Sequence, residues 1–225
     1  MRAAEHRHAR GGPARRIRRR LPLPPGPPAP PLYLRDMNRV YLTQALRGHQ
    51  ALYFRFNEVA DAPDGALAEW AARLKRELGT GGSARLIVDV RHNFGGNNRL
   101  LEPLLTAFAE FSSGPGRRVY VLTSRATFSA AQNFITRIER KIPSAIFARE
   151  PSMSSPNFTG GDNPIPLPFS GMTVSISSRH WQDSDPGDRR PWIAPHLPVA
   201  LTSRDWLENR DPGLDPVLAA IARDR

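Results

Sequence analysis

The residues with the clearest capacity for chemistry lie in two short stretches, Asp89-Val90-Arg91-His92-Asn93-Phe94-Gly95-Gly96-Asn97 and Ser124-Arg125-Ala126-Thr127-Phe128-Ser129-Ala130-Ala131-Gln132. Adjacent glycines let the main chain turn with its N–H groups uncovered, which side chains there would hinder. Ser129 stands where a helix is expected to begin. A hydroxyl at a helix N-terminus, opposite a glycine turn with free amides, has the two parts that acyl transfer needs: a nucleophile and donors for the oxyanion. That is the layout of a serine hydrolase, on the condition that the two turns meet. A serine hydroxyl is nearly inert at neutral pH without a base. His92, inside the glycine turn and with an ordinary pKa of about 6.5, is a candidate for that base.

The elements around these stretches form a repeating pattern. Leu52-Tyr53-Phe54-Arg55-Phe56 predicts a strand over 51–56, and Asp64 is expected to cap a helix carrying Leu67, Trp70, Ala71, Leu74 and Leu78, ended by the glycines from 79 to 82. A strand over 85–90 enters the Gly-Gly turn, and Leu100, Leu101, Leu104, Leu105 and Phe108 mark a second helix. A strand over 118–123 leads to Ser129 and a third helix over 129–140; Ala145-Ile146-Phe147 gives another strand. This alternation predicts right-handed crossovers and a largely parallel α/β sheet, in which ligands sit at the carboxyl ends of the strands. Both turns fall there. Residues 149–171 read as a long Pro, Gly and Ser-rich loop of the kind that walls a site, followed by a strand over 172–177, an irregular aromatic segment over 180–195, and short helices near 203–209 and 214–223.

Composition bounds the rest. The 225 residues carry a net charge of +11, but residues 1–20 alone hold eight arginines and one glutamate, which leaves +4 for the remainder. With no aromatic interleaving among the basic residues, nucleic-acid binding by the body is not expected. Seven prolines follow between 22 and 31, so residues 1–31 are expected to be a disordered leader and 32–225 the catalytic domain. No run approaches a membrane span, and the leader has no apolar core of a secretory signal. The chain has no cysteine, hence no thiolate metal site. His180 and His196, with Asp183, Asp185 and Asp188, lack metal-ligand spacing, so no metal is expected. Plainer roles stand beside the chemical ones. Ser129 alone would be an N-cap worth about 1 kcal/mol, Asp89 and Arg91 an ion pair fixing the turn, Asn93 its brace, and Trp181 and Trp192 packing anchors.

Leu86-Ile87-Val88-Asp89-Val90-Arg91-His92-Asn93-Phe94-Gly95-Gly96 resembles the Asp-Leu-Arg-x-Asn-x-Gly-Gly signature of the tail-specific, or C-terminal processing, serine peptidases. Thr127-Phe128-Ser129-Ala130-Ala131-Gln132 resembles their Thr-Ala-Ser-Ala-x-Glu segment, and Trp192-Ile193-Ala194-Pro195-His196-Leu197-Pro198-Val199 their Gly-Val-x-Pro-Asp-hydrophobic stretch. The resemblance covers about residues 40–200. It implies the ClpP/crotonase-like superhelix of parallel strands and helices, Ser129 as nucleophile, backbone N–H groups of Gly95 or Gly96 and of Ala130 as oxyanion donors, polypeptide as substrate along 149–171, no cofactor, and an extracytoplasmic location. No peptide-binding domain of the PDZ kind is visible, so the chain resembles the catalytic core alone, as a truncated or mis-started gene product would.

The departures bear on activity. Ser/Lys members of the family use a lysine about 25 residues after the serine as base, and Ser154 stands there. Lys75 and Lys141 are the only lysines, and Lys141 is twelve residues past Ser129, about 18 Å along a helix. The family's glutamate is Gln132. Tricorn-like relatives place a histidine elsewhere, which here would be His49. The base is therefore His92, His49 or absent, and the alternative to a peptidase is an inactive binding protein with the peptidase fold.

Overall fold

A computed structural model describes residues 30–224. The expected leader lies outside them, apart from its last two residues. The chain runs through β1 (Tyr41–Leu46), β2 (Ala51–Phe56), α1 (Leu67–Thr80), β3 (Arg85–Asp89), α2 (Glu102–Ser112), β4 (Arg118–Thr123), α3 (Ala130–Lys141) and β5 (Ile146–Arg149). It continues through β6 (Asn157–Gly160), β7 (Pro164–Pro166), β8 (Thr173–Ser175), β9 (Arg179–Gln182), β10 (Leu197–Pro198), α4 (Ser203–Leu207) and α5 (Asp215–Arg223). Six strands form one sheet in the order β1-β2-β3-β4-β5-β10. β1 is antiparallel to β2; every other pairing is parallel, with Val88 opposite Phe54 and Val121.

Each crossover advances the chain by one neighbouring strand, and α1, α2 and α3 all pack on the same face, so the path winds in one direction as a superhelix. Alternation decides what each strand gives to each side. Leu52, Phe54, Phe56, Leu86, Val88, Val119 and Val121 meet Leu74, Leu105, Phe108, Phe134 and Ile138 of these helices in a dry core. Tyr53, Ile87, Tyr120, Leu122 and Ala148 face the other way, onto Val217 and Ile221 of α5. Strands buried on both sides read as continuous apolar runs, as 85–90 and 118–123 do.

Several boundaries differ from the sequence reading. β1 was not anticipated, because an edge strand with exposed Gln44 and Ala45 lacks a two-sided apolar run. Asp64 does not cap α1; the cap position is Ala66, and Asp61 Oδ1 accepts the Leu67 N–H at 2.8 Å. The loop expected over 149–171 holds β6 and β7, which pair with β9 and β8 as two antiparallel ribbons.

Two buried arginines fix the carboxyl ends of β2 and β3. Arg55 is fully buried, with no carboxylate partner among the described residues. It donates to the carbonyls of Leu32 and Asp36, each at 2.9 Å, and of Arg35, fastening the segment ahead of β1 to the sheet. Arg91 bridges Asp89, through Nη2 at 2.6 Å, and Asp211, through Nη1 at 2.6 Å, with all three side chains buried. Asp211 Oδ1 also accepts the N–H groups of Gly213 and Leu214 ahead of α5. Burial acts to raise the Asp89 carboxyl, but the Arg91 guanidinium and hydrogen bonds from Arg91 and from the Tyr53 hydroxyl, at 2.5 Å, outweigh it and hold the pKa at about 2. Tyr33 closes the cluster, with the Arg91 guanidinium 4.5 Å over its ring.

Arg55→Ala removes the donor shared by three main-chain carbonyls and is expected to cost about 1 to 3 kcal/mol in denaturant unfolding, with faster tryptic cleavage of the segment before β1; an unchanged midpoint and cleavage rate would refute the clamp. Because the Asp89 carboxyl is depressed in the fold, its stabilisation is complete above its unfolded pKa near 4 and is lost as pH falls toward 2. That loss, about 2 kcal/mol, is expected to shrink in Asp89→Asn, and parallel stability–pH curves for the two proteins would contradict it.

Candidate active site

Parallel pairing of β3 with β4 brings their carboxyl ends side by side, and the two turns that follow are stitched together. Ser124 Oγ donates to the Arg91 carbonyl at 2.6 Å, Thr127 Oγ1 to the Val90 carbonyl at 3.0 Å, and the Phe128 N–H to the Asn93 carbonyl at 3.2 Å. Asn93 braces the glycine turn from inside. Its Nδ2 donates to the Phe56 carbonyl at 2.8 Å, and its Oδ1 accepts the Gly95 N–H at 2.9 Å. Val59 holds the outer side, donating to the Gly95 carbonyl at 2.8 Å and accepting the Asn97 N–H at 2.7 Å.

Both glycines are required by contact as well as by conformation, with φ of +112° at Gly95 and +133° at Gly96. A Cβ on Gly96 would lie 2.2 Å from the Val59 carbonyl oxygen. A Cβ on Gly95 would lie 2.6 Å from Ser129 Cβ, 2.9 Å from the Ala130 nitrogen and 3.0 Å from Ser129 Oγ. The structure therefore places the hydroxyl, the following amide and the glycine turn at one point.

Ser129 occupies the cap position of α3 but its side chain makes no capping hydrogen bond, and its backbone sits at φ +55°, ψ −126°. A non-glycine residue held there is strained, a state that persists only where its surroundings enforce it. The turn thus presents the half-buried hydroxyl outward instead of spending it on the helix. The oxyanion donors separate on inspection. The Gly95 N–H is already engaged by Asn93, which corrects the expectation that it is free. In the next peptide, the carbonyl of Gly95 points to Val59, so the N–H of Gly96 points to the opposite side of the planar unit. Neither the Gly96 nor the Ala130 N–H has a hydrogen-bond partner among the described residues.

The histidines divide. His49 lies in the turn between β1 and β2, two residues before Ala51, which pairs with Arg85 at the amino end of β3. The length of β3, about 13 Å at 3.3 Å per residue, separates that end from the glycine turn. The fold therefore does not bring His49 to the serine turn, in keeping with its place just before a strand. His92 lies at the correct end, with its ring stacked on Tyr33 at 5.8 Å and its Nε2 buried without a partner. Burial pushes its pKa below the usual value, partly offset by Asp89 and reinforced by Arg91, so the imidazole is neutral at pH 7. It makes no side-chain hydrogen bond to Ser129.

Gln132, one turn into α3, is fully buried. Its Nε2 donates to Thr136 Oγ1 at 3.3 Å, and its Oε1 has no partner. The Met153 N–H donates to the Thr127 carbonyl at 3.0 Å, laying this segment beside the serine turn, and Ser154 Oγ is likewise buried without a partner. Buried polar atoms left unpaired are uncommon and mark places where a ligand or water belongs. Phe158 of β6 packs on Phe128 at 6.0 Å, so the first ribbon is rooted next to Ser129.

Among the described residues no group of three or more histidines and carboxylates is placed to hold a metal. Asp183 is engaged by Arg137 Nε at 2.8 Å and by Asn133, and Asp188 by Ser184 and Arg190. Nor is any helix there long and apolar enough to cross a membrane.

No protein-family model and no curated protein matches the sequence. Solved structures do. A protein from Bacteroides fragilis described as an S41 protease superposes with a TM-score of 0.56 at 17% identity, covering 82% of this chain and 57% of its own. One from Parabacteroides merdae described as a peptidase gives 0.54 at 17% identity, covering 81% and 64%. Mature CPAF complexed with lactacystin gives 0.56 at 13% identity, covering 76% and 50%. The chain thus spans less than two thirds of the length of these structures. Their shared feature with it is the fold: a mixed α/β architecture with a largely parallel sheet, as in S41 peptidases.

Proposed function

We propose that this chain is a serine-type peptidase-like domain acting on polypeptide by acyl transfer. The observation that carries the reading is the meeting of Ser129 Oγ and the Ala130 amide at the place a Gly95 side chain would fill. In the proposed step, Ser129 Oγ attacks a peptide carbonyl and forms an ester as the C–N bond breaks. Its proton passes to the base and then to the leaving amine. The amides of Gly96 and Ala130 receive the carbonyl oxygen as its charge develops, where fixed donors lower the barrier most. His92 is the assigned base, kept neutral by burial. Water then hydrolyses the ester. No cofactor enters this reaction. The fold likeness to peptidases supports the reaction class, and an extracytoplasmic site of action belongs to the same proposal.

The second reading, a binding protein that retains the fold, rests on one specific observation: no base is hydrogen-bonded to Ser129, while Gln132 and Ser154 stand where the resemblance calls for charged groups. A fluorophosphonate probe, combined with hydrolysis of an unstructured polypeptide, separates the two. The peptidase reading predicts labelling and hydrolysis that vanish in Ser129→Ala. It also predicts a drop of about 100-fold or more in His92→Ala, and a rate that rises with pH through a value below 6.5. Polypeptide binding without labelling or hydrolysis would establish the binder instead.

A further inference from the structure

The imidazole of His92 is oriented by a ring contact alone. Its Nε2 is buried without a partner, and no hydrogen bond among the described residues reaches either ring nitrogen. An active-site imidazole is ordinarily fixed through its second nitrogen by a carbonyl or a carboxylate. What holds His92 is Tyr33, whose ring lies nearly parallel to the imidazole, with the planes 7° apart and the centroids at 5.8 Å, within the range of offset stacking. The same phenol ring receives the Arg91 guanidinium at 4.5 Å, and its hydroxyl, also buried, has no hydrogen-bond partner.

Tyr33 reaches this place from a segment that belongs to no strand of the sheet. It sits in the middle of a single helical turn, Leu32–Leu34, closed by the Leu34 N–H to the Pro31 carbonyl at 2.9 Å, and too short to keep its shape unsupported. Arg55 supplies the support. The three carbonyls it takes, of Leu32, Arg35 and Asp36, bracket Tyr33 in the chain, and Leu32 packs against the core beneath α5. Arg55 is itself in register with Asp89 at the end of β3, three positions ahead of His92. A buried guanidinium is costly to desolvate, and this one is committed to setting an aromatic ring, itself 4% exposed, over the imidazole.

We propose that Tyr33 is a positioning residue for His92: the strap ahead of β1, pinned by Arg55, lays the phenol ring flat on the imidazole, fixes its plane and keeps water off that face. The proposal rests on His92 as the base at Ser129, and Tyr33 acts through His92, not on the reacting atoms. The charged groups facing the imidazole are Arg55 on β2, Asp89 at the end of β3, Arg91 in the turn that follows and Arg149 at the end of β5. Burial is the largest influence and lowers the imidazole pKa; Asp89 raises it, and the three guanidiniums lower it. Tyr33 supplies part of that burial. Removing its ring leaves all four charges in place and changes the access of water and the freedom of the imidazole. The phenol, pushed above its usual range by burial, stays neutral where His92 titrates. Because its hydroxyl is unpartnered, the flat ring is the working part, and phenylalanine serves as well.

The test follows the His92 Cε1 proton by NMR titration of the full chain, assigned by its loss in His92→Gln, beside steady-state hydrolysis of an unstructured polypeptide. In Tyr33→Ala the midpoint is expected to rise toward the ordinary value of about 6.5, and kcat to fall about tenfold with KM within about twofold. In Tyr33→Phe both return to the native values. Tyr33→Leu fills the same space without a flat face; it is expected to stay folded and to lose the ring-current shift on the His92 proton together with kcat. The His196 resonance, whose Nδ1 accepts the Phe147 N–H at 2.9 Å, reports that the sheet is intact. A midpoint and ring-current shift unaltered in both Tyr33→Ala and Tyr33→Leu overturn the proposal, as does a Tyr33→Phe change equal to that of Tyr33→Ala, which would assign the hold to the hydroxyl. The titration needs no substrate. An inert chain in which the midpoint moves contradicts the peptidase reading and supports the hold of Tyr33 on His92, whereas an active chain in which it stays contradicts the proposal alone.

Discussion

The space left empty by the missing side chain of Gly95 is the constraint on which the site depends. Ser129 Oγ, Ser129 Cβ and the Ala130 nitrogen all lie within 3.0 Å of the point that side chain would occupy, so any other residue at position 95 would drive the two turns apart. The rest of the neighbourhood holds this contact closed. Parallel pairing of β3 and β4 sets the strand ends level, the hydroxyls of Ser124 and Thr127 reach across to the first turn, and Val59 and Asn93 clamp it from both sides. The strained backbone of Ser129 is affordable only because these bonds over-determine it.

Beneath the turn lies the Asp89–Arg91–Asp211 cluster. A buried pair stripped of one partner is costly, so the cluster acts as a latch more than as a source of net stability. It ties the end of β3 to the approach of α5, and through Tyr33 to the segment that Arg55 anchors. The same cluster sets the electrostatics around His92. Burial lowers the imidazole pKa, the Asp89 carboxylate pulls it back up, and Arg91 lowers it again. An imidazole that is neutral at pH 7 follows from position, without a hydrogen-bonded carboxylate of its own.

Much of this was legible in the residues. Apolar runs ending in Asp89 and Thr123, each followed by a turn and an amphipathic helix, specify parallel strands whose carboxyl ends are neighbours, and Gly-Gly and Ser129 then fall at those ends. The parts that were not legible depend on long-range partners. Nothing local marks Arg55 as a buried clamp, since its carbonyl acceptors lie about 20 positions earlier. Asn93 is an ordinary turn residue until its Oδ1 takes the Gly95 N–H and leaves Gly96 as the free donor. His49 enters only through the resemblance, although its place just before a strand already puts it at the amino end of the sheet. β7 is hidden by its prolines, which are tolerated because they sit on an unpaired edge, whereas β8 falls within the strand expected over 172–177.

The crystal structure of the covalent fluorophosphonate adduct addresses the convergence directly. The account predicts phosphorus bonded to Ser129 Oγ, with the phosphoryl oxygen within hydrogen-bond distance of both the Gly96 and the Ala130 nitrogens. An adduct on another residue, an oxygen turned away from both amides, or no adduct at all would contradict it.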